Sequence, residues 1–138
     1  MKIEDFITTL IFLIILIILC FMALEKAEGS SGMRPGTLTA SWYSVESCKK
    51  EGSSGIMANG KELKDEEKTC ASWDYPFGTK ISVTNLRTAE TCIVEVTDRG
   101  PSRDLYRQGR ILDLSKSAFA EIAPLEQGII PVRVERIK

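Results

Sequence analysis

From Phe6 to Leu24 the chain carries no charged residue, and Thr8 and Thr9 are its only clearly polar side chains. A soluble helix would show a polar face at its 3.6-residue period, and this run has none. At 1.5 Å per residue it makes a helix of roughly 28 Å, close to the hydrocarbon thickness of a bilayer. The run therefore divides the chain of 138 residues into a short tail at 1–5, an expected transmembrane helix or signal anchor at 6–24, a polar linker at 25–37 and one domain at 38–138. The segment Ala27-Glu28-Gly29 has small residues where a signal peptidase needs them but charged neighbours, and Leu19 stands where a small residue would precede a lipidated Cys20. An uncleaved anchor is the expectation, with secretion the outcome if the signal is cut.

Beyond the apolar run, charge is nearly balanced. From Met33 onward sixteen Lys and Arg face fifteen Asp and Glu, which leaves no basic stripe for a nucleic acid. The chain has no histidine, and Cys48, Cys70 and Cys92 match no Cys-x-x-Cys spacing, so neither a zinc site nor another metal or cofactor is implied. Cys48 and Cys70 flank a Gly- and Lys-rich stretch that would close as a loop. A disulfide between them is expected, with two buried thiols as the alternative. It would stabilise the domain by about 3 kcal/mol and would imply an oxidising compartment. Cys92 shares the parity of Val94 and Val96, which places it in a core.

The domain reads as mainly β. Thr37–Tyr43, Lys80–Thr84, Thr91–Thr97 and Ile130–Glu135 alternate, and Arg110–Leu114 makes a short strand or bridge. Turn residues separate them at Asn59-Gly60, Pro76-Phe77-Gly78, Asn85-Leu86-Arg87 and Arg99-Gly100-Pro101. One helix is expected over Lys116–Ile122, capped by Ser115, with Phe119, Ile122 and Ala123 on one face and Pro124 ending it. Several short strands with one helix imply a small closed barrel.

Six motifs carry a resemblance. Ala40-Ser41-Trp42-Tyr43, Met57-Ala58-Asn59-Gly60, Pro76-Phe77-Gly78-Thr79, Val83-Thr84-Asn85-Leu86, Asp98-Arg99-Gly100-Pro101 and Ile111-Leu112-Asp113-Leu114-Ser115 stand in the order found in the rare lipoprotein A (RlpA) family. In kind, the domain from Leu38 to the C-terminus resembles that family throughout. The resemblance implies a six-stranded double-psi β-barrel with one or two short helices. It further implies a protein of the bacterial envelope, on the outer side of the membrane, acting on peptidoglycan glycan strands; several members are lytic transglycosylases. A monomer is the expectation, though the sequence itself carries no sign of oligomeric state. Active members carry Glu after Ala-Asn-Gly and a later Ala-Ala-His, whereas Lys61 and Cys70-Ala71-Ser72 stand at those places here. The resemblance therefore implies a depleted site, and a binding module without catalysis is the competing expectation.

Asp98 is the candidate acid and base, since it ends an apolar strand and precedes a Gly-Pro turn. The alternative is that it only caps that turn. The pairing of Thr97-Asp98 with Leu112-Asp113-Leu114-Ser115 resembles expansins, in which both aspartates line a polysaccharide groove. For Asp113 the competing role is a charge at a helix N-terminus. Ser41 and Tyr43 share one face of the first strand, opposite Ala40 and Trp42, and are candidate sugar contacts with Asp113. Asp74, beside Trp73, is a further candidate, offering a carboxylate and an aromatic platform where the family has its histidine loop. Lys61 could meet acidic wall polymers, or stay solvated.

Overall fold

The computed structural model describes residues 36–138 and, ahead of them, Ile3, Ile11, Ile14 and Ile15, which are helical. The expected membrane span at 6–24 and nearly all of the linker at 25–37 lie outside the described residues. Among the described residues no helix is long and apolar enough to cross a membrane.

Six strands close into a barrel in the order β1-β5-β2-β4-β3-β6. They are β1 (Thr39–Tyr43), β2 (Thr69–Ser72), β3 (Lys80–Asn85), β4 (Thr91–Asp98), β5 (Arg110–Ser115) and β6 (Ile129–Arg136). Helices α1 (Val45–Lys50), α2 (Arg103–Arg107) and α3 (Lys116–Ile122) and a 3-10 turn at Leu125–Gln127 fill the connections. Two strand pairs are parallel, β1 with β5 and β2 with β4; the other four are antiparallel. Closure leaves no strand edge exposed.

Alternation decides what goes inside. Ala40, Ile81, Val83, Cys92, Val94, Leu112, Leu114 and Ile130 form one buried cluster with Ala118, Phe119 and Ile122 of α3. That is the helix face read from the sequence. Ser115 does stand at the N-cap of α3, but its hydroxyl makes no cap bond. It donates instead to the Glu67 carbonyl (2.6 Å) and accepts from the Thr69 amide (3.2 Å). The other end of α3 is held by Asn85, whose side-chain amide donates to the Ile122 carbonyl at 2.8 Å.

Strand β2 has no counterpart among the strands read from the sequence. All four of its residues are buried, so it shows no alternation to read. Helices α1 and α2 were also unexpected. Each spans only five or six residues and is set by its cap: Ser44 with Ser47 in a reciprocal box, and Ser102 through the Leu105 amide.

The expected Cys48–Cys70 disulfide is not present; both are free thiols. Cys70 is fully buried in the barrel interior, packed in the apolar cluster, while Cys48 lies on α1 and lines a surface cavity. One is carried inward by a barrel strand and the other sits on a helix outside the barrel core. With no disulfide, the argument from it to an oxidising compartment falls as well. Burial pushes the Cys92 thiol up to about 11, as befits an inert core residue.

Candidate functional site

The two parallel pairs and the antiparallel β5–β2 pair between them bring four residues into one transverse row: Ser41 on β1, Asp113 on β5, Ala71 on β2 and Asp98 on β4. Adjacent strands lie about 4.8 Å apart, so the two aspartate backbones are about 10 Å apart with only a methyl group between them. All four residues line one cavity of about 370 Å³ on the outside of the barrel, with Tyr43, Cys48 and Arg110 among the other lining residues.

Asp98 reaches this face by an irregularity. Val94 and Val96 point into the core, and continued alternation would send Asp98 after them. Opposite β2, however, Cys70 pairs with Val96 and Ala71 with Asp98, so Thr97 is an extra residue in β4. This bulge turns the next side chain outward. Thr97 is held in place by its neighbours: its hydroxyl donates to Met57 Sδ at 3.1 Å, and its carbonyl accepts from the Asn59 amide at 3.2 Å.

The Asp98 carboxylate is then fixed from three sides. Oδ1 accepts from the Ala58 and Arg99 amides, each at 2.8 Å, and Oδ2 accepts from the Tyr43 hydroxyl at 3.3 Å. The Ala-Asn-Gly turn thus supplies an amide to the aspartate, a use of that motif the sequence alone did not disclose. The turn-capping alternative for Asp98 is real as well, since the Arg99 amide is one of the donors. Burial and the adjacent Asp98 push the Tyr43 hydroxyl far above its ordinary value, so it remains a donor. The Arg99 guanidinium turns away from the carboxylate. It donates to the carbonyls of Ser72 (2.7 Å) and Tyr75 (3.1 Å) and stacks on Phe77.

Asp113 is held differently. Its carboxyl group accepts from the Ser41 hydroxyl, and no bond joins it to the amides of α3, so it is not a helix cap. Burial raises its proton affinity; Asp98 and Glu51 add to the rise, while Ser41 and Arg110 oppose it. Gly100 lies against it: a Cβ there would stand 3.4 Å from Oδ2 and 3.3 Å from the Ala71 methyl.

The barrel sequence matches a known family. Residues 36–134 fit the family model described as "Lytic transglycolase". The chain belongs to that family. Among its relatives is the endolytic peptidoglycan transglycosylase RlpA of Campylobacter jejuni, 38% identical over 98 residues, which are 71% of this chain and 32% of the relative. The probable endolytic peptidoglycan transglycosylase RlpA of a Nostoc species is 37% identical over 78 residues, 56% of this chain and 20% of that one. This chain therefore spans a minor part of these relatives. Among solved structures, the Streptomyces papain inhibitor is similar with a TM-score of 0.55 and 23% identity, covering 74% of this chain and 93% of that one. A Clavibacter michiganensis expansin variant in complex with cellohexaose gives 0.53 and 21%, covering 75% and 50%. The last two show the fold alone. Together these identify an RlpA-like double-psi β-barrel.

Lys61 and Ser72, the two residues that the sequence marks as replacements, do not line the cavity. Lys61 is exposed and turns through its own backbone, its amide bonded to Asn59 Oδ1 at 3.0 Å. Ser72 is fully buried, and its hydroxyl accepts from the Asp74 amide at 3.2 Å. Asp74 corrects an expectation: it does not line the cavity but accepts from the Tyr106 hydroxyl on α2. Trp73 offers no free platform either, since the Arg103 guanidinium covers its ring at 3.6 Å and its indole N–H donates to the Pro101 carbonyl. Trp42 packs against the core near Phe119 and donates to the Leu125 carbonyl at 3.1 Å. Sequence reasoning missed Ala71, Arg110 and Gly100 as parts of the cavity region, because none carries a chemical signature on its own.

Proposed function

We propose that the cavity is a subsite for a glycan strand of peptidoglycan and that the domain cleaves the bond between N-acetylmuramic acid and N-acetylglucosamine as a lytic transglycosylase. The observation that supports it is the pairing of Asp98 and Asp113 across Ala71 in one cavity. Such a reaction needs a proton on the leaving oxygen and a base for the muramic C6 hydroxyl. The sequence alone assigned both tasks to Asp98. The unequal settings of the two carboxyl groups favour a division of labour. Asp113, whose burial favours the protonated form, protonates the leaving oxygen as the C1–O bond breaks. Asp98, oriented by Tyr43, Ala58 and Arg99, takes the C6 hydroxyl proton as that oxygen bonds to C1. The step leaves Asp113 ionised and Asp98 protonated; exchange of one proton with solvent on each resets the pair, and no water is consumed in the cleavage itself. On this reading the domain works as a monomer in the bacterial envelope, outside the membrane and tethered by segment 6–24.

A second reading is a glycan-binding or wall-loosening module without cleavage. It is favoured by one observation: neither Lys61 nor Ser72, at the positions of the acid–base pair of active members, lines the cavity. Mass spectrometry of peptidoglycan incubated with the full chain separates the two. New 1,6-anhydromuramic ends, reduced about 10²- to 10⁴-fold by Asp98→Asn, are expected of the enzyme. No new ends, with both proteins still pelleting with the wall, would leave the module.

A further inference from the structure

Arg110 opens β5 and lines the same cavity as the two aspartates, half-buried. Among the described residues its guanidinium takes part in no ion pair, while the five ion pairs that do form are elsewhere on the surface. The other arginine of the cavity, Arg99, is committed to two backbone carbonyls and the Phe77 ring. Of the remaining acidic groups on the cavity wall, Glu51 and Asp98 repel an anion, and Asp113, protonated on the reading above, does not attract one. A planar guanidinium with its donors unspent, on a wall otherwise lined by carboxyl groups, is suited to a carboxylate and is badly used on a neutral sugar.

We propose that Arg110 is a carboxylate-binding residue of the groove and sets the register of the bound strand. The inference rests on the glycan reading above and makes it more specific. In alternating strands only the muramic units carry a carboxylate, either on the lactyl group when the peptide is absent or on the stem peptide when it is present. Arg110 and Asp113 lie opposite Thr39 and Ser41, two residues apart on β1, so they are roughly 7 Å apart along the strand. A carboxylate seated there places one kind of glycosidic bond over the aspartates rather than its alternate. The acidic wall helps by excluding the carboxylate from the rest of the cavity.

The test compares affinities of the full chain, by calorimetry, for three soluble ligands of equal length: a chitooligosaccharide, a muramic-containing glycan without peptide, and the same glycan with stem peptides. The wild type is expected to prefer a muramic ligand over the chitooligosaccharide by about tenfold or more. Arg110→Gln should bring that ratio close to one. Preference for the stripped glycan alone assigns the lactyl carboxylate; preference for the peptide-bearing glycan alone assigns the peptide. A wild-type measurement with the ligand carboxyl groups reduced to alcohols gives the same answer without any substitution, and should also bring the ratio close to one. If the wild type binds neutral and anionic glycans equally, or if the preference survives Arg110→Gln or carboxyl reduction, the proposal is overturned while the glycan reading stands. If none of the three ligands binds, both fall.

Discussion

Asp98 and Asp113 occupy one row of one cavity, yet the barrel delivers them by opposite means. Asp113 follows the plain alternation of β5, between the core residues Leu112 and Leu114, and meets one hydroxyl in a desolvated corner beside Gly100. Asp98 breaks the alternation of β4 and meets two backbone amides and a phenol that come from three segments. Burial that outweighs a single hydroxyl donor favours a proton; donors from the backbone fix an orientation. Two identical side chains thereby become chemically unlike groups, which is the arrangement that acid–base work requires.

The comparison breaks most completely if the bulge is removed. Deleting Thr97 restores the alternation of β4 and directs Asp98 into the apolar interior, where a carboxylate has no partner. A loss of about 3–5 kcal/mol is expected, enough to unfold much of the population, and thermal denaturation followed by circular dichroism would show it. Normal stability in the deletion would mean that the bulge does not direct Asp98.

A smaller effect is expected from Gly100→Ala, which touches the other aspartate. The new methyl would crowd Ala71 and the Asp113 carboxyl, each of which must give way, at a cost of about 1–3 kcal/mol in denaturant unfolding. A neutral outcome would show that the corner around Asp113 is looser than its contacts indicate.

The smallest effect depends on pH. Burial raises the folded-state proton affinity of Asp113 above the ordinary carboxyl value of 3.8, so the folded domain binds this proton more tightly than the unfolded chain. The stability this group contributes is complete below the unfolded value and is lost as pH rises through the folded one. Asp113→Asn, neutral throughout, is expected to melt above the wild type at neutral pH, by no more than about 5 °C, and to converge with it below pH about 4. A variant that melts below the wild type at neutral pH would reverse the assignment of Asp113 as the protonated partner.

The legibility of the fold followed its periodicity. Strands β1, β3, β4 and β6 alternate, α3 has a clear apolar face, and all were readable. Strand β2 was not, because burial on both faces erases the signal, and its neighbourhood misled the cysteine pairing for the same reason. Of the cavity-lining residues, Ser41 and Tyr43 were legible from strand parity and Asp98 and Asp113 from motif, whereas parity alone would have sent Asp98 inside. Asp74 was misplaced because its loop is drawn toward α2, a helix too short to leave a pattern, where Tyr106 takes its carboxylate.

The amino-acid sequence by itself determined which side chains go inside, where the chain turns, the helix that packs on the barrel and the two aspartates worth watching. Those properties depend on neighbours one to four residues away, and a sequence displays such neighbours directly. The tertiary structure alone decided that Thr97 is an extra residue, that Ala71 separates the two carboxyls and that Arg110 shares their cavity. Each depends on the register between strands distant in the chain, which is set only when the barrel closes.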